Sequence, residues 1–116
     1  MLSLKGFHEV ERQWGKFIQF TENENTTVKL LHITEGKSIS YQYHNHRAEQ
    51  WYVISGRVWV IKEIKDGTLS HQLLPGQMER IEPREKHKLE ALEDSVILEI
   101  SKGLFDESDI VRLDSP

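Results

Sequence analysis

Short apolar runs that alternate with polar residues, broken by turn residues about every 8–12 positions, occupy most of this sequence. Helical periodicity is nearly absent. This pattern is typical of all-β sandwiches and barrels. Because 116 residues can bury only one modest core, we expect residues 1–116 to form a single all-β domain.

Eight strands are predicted from the alternation. They span residues 28–34, 37–43, 50–54, 57–64, 68–74, 78–82, 87–92 and 95–101. Turns are expected at 35–36, 55–56, 66–67, 75–76 and 93–94, each of which carries residues that tolerate turn geometry. Ser108 and Asp109 are candidates to cap a final helical turn.

Charge and composition argue against several classes of protein. The net charge is −4, and charged residues of both signs are interspersed, so no basic stripe favours nucleic-acid binding. No apolar run is long enough for a secretory signal or a membrane span. We therefore expect a soluble, cytoplasmic protein with no membrane or nucleic-acid partner.

Four side chains have the types and spacing of a metal site. His44 and His46 alternate on one predicted strand, Glu49 follows after the next bend, and His87 begins a later strand. The chain has no cysteine, so a metal would be held by imidazole and carboxylate. These ligands suit zinc, iron, manganese, cobalt or nickel and do not choose among them.

Strand parity predicts the surroundings of that site. Glu49 and His87 each begin an apolar face, whereas Ser40 and Gln42 share a face with His44 and His46. Hydroxyl and amide groups near a metal suit a polyol better than a fatty substrate. The remaining histidines are interpreted as surface or hydrogen-bonded core residues: His8, His32 and His71.

Apolar residues on outward faces predict self-association. Tyr41 and Tyr43, with Ile39, lie opposite the expected inner face, and the 57–64 strand carries apolar residues on both faces, including Trp59 and Ile61. We therefore expect a homodimer.

The histidine cluster resembles the first motif of the cupin superfamily. That motif reads Gly, a short run, H-x-H, Glu and a later Gly, and its places are taken by Gly36, His44, His46, Glu49 and Gly56. The resemblance implies a cupin β-barrel, that is, a double-stranded β-helix or jelly roll. The second cupin motif is weaker: Gly76 and His87 fit, but Glu82, Arg84 and Ala91 replace its Pro, Gly and Asn. Without that Gly, the turn before His87 is expected to avoid positive φ, with Pro83 stiffening it.

Within the cupins, the chain resembles the type II phosphomannose isomerase domain. The specific pieces are H-R-A-E-x-W at 46–51 and D-I-V-R at 109–112, while Asn45 and Gln50 stand where the family usually has histidine. The resemblance implies aldose–ketose isomerisation of a phosphorylated sugar, such as mannose 6-phosphate to fructose 6-phosphate. No Gly-rich phosphate loop is present, so guanylyltransferase activity is not expected.

The resemblance also suggests roles for residues near the ligands. Arg47 is the first candidate for a catalytic substrate contact, although its parity is opposite to that of His46 and points it outward unless a bend intervenes. Lys86 is a candidate for the phosphate, and Ser40 and Gln42 are candidates for the sugar hydroxyls. No residue stands out as the general base. Two alternatives remain open: a non-catalytic sugar-binding cupin and an iron-dependent cupin dioxygenase.

Overall fold

The computed structural model describes residues 8–103, 106 and 108–114. These residues form strands and no helix. The strands are β1 His8–Arg12, β2 Gly15–Gln19, β3 Thr26–Ile33, β4 Gln42–Tyr43, β5 Arg47–Ser55, β6 Val58–Ile64, β7 Gly67–Leu73, β8 Met78–Ile81, β9 His87–Ala91, β10 Ser95–Gly103 and β11 Val111–Arg112.

Two antiparallel sheets face each other, and a separate hairpin pairs β1 with β2. One sheet has the order β3-β10-β5-β8, and the other has the order β11-β4-β9-β6-β7. Both sheets contribute to one buried apolar cluster: Trp51, Val53, Val58, Val60, Leu73, Ile81, Leu89 and Ile97. This confirms the all-β prediction.

The predicted strands have counterparts in the structure, with one large difference. Of the predicted 37–43 strand only β4 forms, together with one isolated bridge at Ser38. Because the chain between Ser38 and Gln42 is not extended in a ladder, its side chains do not alternate strictly. Ile39 accordingly packs against the core instead of facing outward.

Three strands were not anticipated: β1, β2 and β11. The first two contain mainly charged and polar residues, so they lack the apolar alternation on which strand prediction depends. The helical turn expected after Ser108 is absent from the described residues around it, and β11 follows instead. No helix in the described part of the chain is long and apolar enough to cross a membrane.

The turn that connects β5 of the four-stranded sheet to β6 of the five-stranded sheet depends on Gly56. Its φ is +88°, and a Cβ there would clash with Ser95 Oγ and would lie 2.5 Å from the carbonyl oxygen of Asp94. Only glycine therefore fits both the backbone conformation and the space. The turn leads the chain from β5, which carries Glu49, into the opposite sheet.

Candidate metal centre

Three buried side chains that can bind metal, His44, Glu49 and His87, lie together between the two sheets. One ligand atom of each lies within 4.8 Å of those of the other two. His44 directly follows β4, His87 begins β9, and Glu49 lies on β5 of the opposite sheet. The group is therefore assembled from both sheets.

Backbone carbonyls orient both imidazole rings. His44 Nδ1 donates to the carbonyl oxygen of Asp109 at 2.9 Å, and His87 Nδ1 donates to that of Glu85 at 2.8 Å. A carbonyl only accepts, so each ring carries its proton on Nδ1 and turns an unprotonated Nε2 toward the group. In metal-bound histidines, the ring nitrogen that does not bind the metal usually donates a hydrogen bond of this kind.

Two atoms of the group have no hydrogen-bond partner although they are buried. They are Glu49 Oε1 and His87 Nε2, which lie 3.9 Å apart. An unpaired buried polar atom costs about 1–3 kcal/mol. A metal ion bound by both atoms would remove that cost, so the donor set fits a divalent cation.

Burial also adjusts protonation in favour of a metal. Desolvation lowers the pKa of His87 to about 4, although its hydrogen bond to Glu85 acts in the opposite direction. Desolvation likewise lowers the pKa of His44. Both imidazoles are therefore neutral at physiological pH and free of a competing proton at Nε2. Burial raises the pKa of Glu49, and Arg47 opposes that effect.

His46 is not brought into this group. Its side chain is exposed, because residues 44–46 leave the strand and bend. The bend is held by Asp109, whose carboxylate accepts from the backbone N–H of Asn45 at 3.0 Å and of His46 at 2.9 Å. His44 and His46 consequently do not share a face as strict alternation predicts.

The same bend turns Arg47 inward. Arg47 is 5% exposed, and its Nε lies 3.2 Å from Glu49 Oε2. Its Nη1 donates to the carbonyl oxygen of Asp106 at 3.2 Å. Arg47 therefore shares the inward parity of Glu49, Trp51 and Val53 along β5.

A cavity of about 660 Å³ adjoins the group at Glu49. Ser40 and Gln42 line it, as the sequence predicted. Ser40 Oγ donates to Gln42 Oε1 at 2.7 Å, and Gln42 Nε2 lies 3.5 Å from His44 Nε2. The full lining is Lys29, Leu31, Ile39, Ser40, Gln42, Arg47, Glu49, Glu99, Ile110 and Arg112.

Sequence analysis missed Glu99, a second carboxyl group in this cavity. It lies on β10, is 9% exposed, and accepts from Trp51 Nε1 at 3.3 Å. Burial, followed by repulsion from Glu49, raises the pKa of Glu99 to about 7. The sequence feature that could have identified Glu99 is its position: it is an acidic residue at an inward position of the strand, between Ile97 and Ser101.

Lys86 lies away from the cavity. Its Nζ is 3.8 Å from Glu63 Oε1 on the surface, and it does not line the space beside Glu49. The neighbouring Lys88 lies 3.9 Å from Asp114 Oδ2. The structure therefore brings neither lysine to the candidate site.

The turn before His87 differs from the prediction. Arg84 has φ +68°, so the expectation that this turn avoids positive φ is wrong. The N–H of Arg84 donates to the carbonyl oxygen of His44 at 2.6 Å. This hydrogen bond joins the turn to the first ligand and offsets part of the cost of a left-handed arginine.

Comparison with known families matches residues 3–115 to the family described as Mannose-6-phosphate isomerase C-terminal. Among curated proteins, the mannose-1-phosphate guanylyltransferase RfbM of Salmonella typhimurium is 32% identical over 113 residues, which is 95% of this chain and 23% of RfbM. A putative mannose-1-phosphate guanylyltransferase of Vibrio cholerae is 35% identical over 108 residues, covering 89% of this chain and 22% of that protein. The chain thus spans less than a quarter of the length of these relatives.

Solved structures confirm the cupin fold. Oxalate decarboxylase from Bacillus subtilis superposes with a TM-score of 0.69 at 19% identity, over 97% of this chain and 31% of that one. QdtA, a sugar 3,4-ketoisomerase from Thermoanaerobacterium thermosaccharolyticum solved with TDP, gives 0.71 at 15% identity, over 92% of this chain and 84% of QdtA. At these identities the likeness concerns the fold alone. The Bacillus enzyme is described as having Mn(II) centres.

Proposed function

Since the chain belongs to the mannose-6-phosphate isomerase C-terminal family, we propose that it is a metal-dependent aldose–ketose isomerase of a phosphorylated sugar. The reaction would be of the type that interconverts mannose 6-phosphate and fructose 6-phosphate. The family match concerns the family and its fold, and the isomerase activity is our proposal.

The proposal rests chiefly on one observation: His44, Glu49 and His87 lie together, and Glu49 also lines a cavity whose wall includes hydroxyl, amide and charged side chains. The unpaired atoms of Glu49 and His87 give this group its affinity for a cation. A divalent metal held there would supply Lewis-acid polarisation of the sugar carbonyl. His46 as a fourth ligand stays a prediction, and it requires residues 44–46 to change conformation.

The chain's own residues supply the remaining needs of an isomerase. Such a reaction removes a proton beside a carbonyl and returns it to the neighbouring carbon. Glu99 is a buried carboxyl group in the cavity and outside the metal-binding group, so we assign this proton transfer to it. The guanidinium of Arg47 stabilises negative charge on the substrate oxygens, and Ser40 with Gln42 orients the hydroxyl groups.

The test combines metal analysis with turnover. Protein purified without an affinity tag is analysed for metal and assayed at once for interconversion of mannose 6-phosphate and fructose 6-phosphate. We expect one metal ion per chain and turnover that a chelator abolishes. The variant His44→Ala should lose both, whereas His32→Ala, which alters an exposed histidine, should keep both. Metal without turnover in the unmodified protein would contradict the isomerase.

A sugar-binding protein without catalysis is the second candidate. One observation favours it: the described site joins three ligands, and the exposed His46 is not among them. In that case, calorimetry would detect binding of mannose 6-phosphate, while the isomerase assay would detect no product with any of the five metals. The two functions are therefore separated by the same sample.

A further inference from the structure

Two cationic side chains line the cavity from strands at facing sheet edges. Lys29 lies on β3, the edge strand of the four-stranded sheet, and Arg112 lies on β11, the edge strand of the five-stranded sheet. Neither belongs to the metal-binding group. Their convergence on one cavity is not explained by the roles assigned so far.

The strand registers fix where these cations lie relative to the metal-binding group. Arg112 pairs with Gln42, and Gln42 pairs with His87, so the three residues form a row across the sheet. Neighbouring strands are about 4.8 Å apart, which places the backbone of Arg112 about 10 Å from that of His87. A six-carbon sugar can span such a distance between its carbonyl end and a terminal substituent.

The opposite sheet places Lys29 in a matching row. Lys29 is half-buried and pairs with Glu99, which in turn pairs with Trp51. Lys29 lines the same cavity as Glu49 and Glu99.

The lining carries three cationic side chains against two carboxyl groups, those of Glu49 and Glu99, and this excess of positive charge favours an anionic ligand. Of the three cations there, Arg47 is already engaged by Glu49 at 3.2 Å and by the carbonyl of Asp106. Arg112 has no ion-pair partner within 4.0 Å among residues 8–103, 106 and 108–114. A planar guanidinium with several donors suits the oxygens of a phosphate group, and an ammonium group adds a second charge.

We propose that Lys29 and Arg112 bind the phosphate group of a phosphorylated sugar whose other end reaches the metal-binding group. The inference rests on the proposed function for the class of sugar. It assigns phosphate binding to Lys29 and Arg112 instead of Lys86, the residue that the sequence suggested. The two cations lie on different sheets, so the phosphate would bridge the open edge of the barrel. An unphosphorylated hexose would lack this contact.

The experiment measures dissociation constants by calorimetry for mannose 6-phosphate and for mannose. The variants Arg112→Gln and Lys29→Gln should each weaken binding of mannose 6-phosphate about tenfold and leave binding of mannose unchanged. Lys65→Gln removes one positive charge from the exposed turn between β6 and β7 and serves as the matched control. Thermal melting of each variant confirms that it is folded.

These binding measurements test the phosphate site independently of the isomerase activity. If Arg112→Gln and Lys29→Gln bind mannose 6-phosphate as tightly as the unmodified protein, or if that protein does not prefer the phosphorylated sugar, the inference is overturned. If Lys86→Gln instead loses affinity for mannose 6-phosphate, the phosphate group binds at Lys86, and the inference is overturned. Preference for the phosphorylated sugar that depends on Arg112, without interconversion, would support this inference and contradict the isomerase.

Discussion

At the scale of single residues, the proposed isomerase reaction depends most on Glu99, to which we assign the proton transfer. Glu99 is held by Trp51, which also contacts the ring of His87 edge-on at 5.5 Å between centroids. One tryptophan therefore contacts both the carboxyl group of Glu99 and the imidazole of His87. The sequence motif that contains Trp51 thus constrains more of the site than its spacing alone indicates.

We expect Glu99→Gln to reduce turnover of mannose 6-phosphate by about 100-fold, the usual contribution of a positioned acid or base. The amide keeps the shape and the contact with Trp51, so metal content and sugar affinity should be retained. Steady-state assays and metal analysis on the same preparation check this. Glu93→Gln, a change in the turn before β10 at a surface ion pair with Arg57, is the control. Full turnover in Glu99→Gln would show that a group other than Glu99 transfers the proton.

The residues around the first motif show what could be predicted from sequence and what could not. The types and positions of His44, Glu49 and His87 were sufficient to predict that they meet. The directions of His46 and Arg47 were not, because they depend on hydrogen bonds from residues 45 and 46 to Asp109, more than 60 positions away. Alternation is a local rule, and a distant carboxylate overrides it here.

At the scale of structural elements, the segment from Asp109 to β11 forms one wall of the site. The side chain of Asp109 holds the bend at residues 45 and 46, while its carbonyl oxygen accepts from His44 Nδ1. Further along, the N–H of Leu113 donates to the carbonyl oxygen of Tyr41 at 2.7 Å. This segment was expected to start a helix, and its structural role is to orient the imidazole of His44.

The variant Asp109→Ala should weaken metal binding about 10–100-fold, as is typical when a contact that orients a ligand is lost. Affinity would fall because the backbone N–H groups of Asn45 and His46 lose their acceptor, so that the bend at residues 44–46 becomes mobile. A chelator-competition titration measures the affinity. Asp106→Ala is the matched control, because within the described part of the chain the Asp106 side chain accepts hydrogen bonds from Ser108 and from neither residue of the 45–46 bend. Equal affinities for both variants would contradict this role.

Gly56 and Gly76 allow the cost of crowding to be separated from the cost of backbone strain. Both have similar positive φ, +88° and +85°, but only a Cβ at Gly56 would meet other atoms. We expect Gly76→Ala to lower the free energy of unfolding by about 1 kcal/mol and Gly56→Ala to lower it by about 3 kcal/mol or more, from strain plus overpacking. Urea denaturation gives both values, and equal losses would contradict the clash.

At the scale of the whole molecule, the prediction of a homodimer still awaits a test. The structure removes part of the argument for it, because Ile39 packs against the core instead of facing outward and the hydroxyl of Tyr41 donates to Glu63. Exposed apolar side chains remain on both sheets, including Val28 and Leu30 on the edge strand β3. Such surface favours association with a second copy.

Light scattering of the purified chain should therefore give twice the 13.6 kDa mass of one chain. Replacing Val28 and Leu30 together by Thr should shift the mass toward that of a single chain if β3 contributes to the contact. A mass of one chain for the unmodified protein, across micromolar concentrations, would rule out the homodimer.

The assembly of the site from both sheets has a consequence for how the molecule opens. β4 is paired with β9 through a single residue and with β11 through two, whereas β5 and β10 share a long ladder. The strand that leads into His44 is therefore less protected than β5, and its amide hydrogens would exchange with solvent before those around Glu49. A bound cation, by joining His44 to Glu49, would link the exchange of the two regions and slow that of the weaker one.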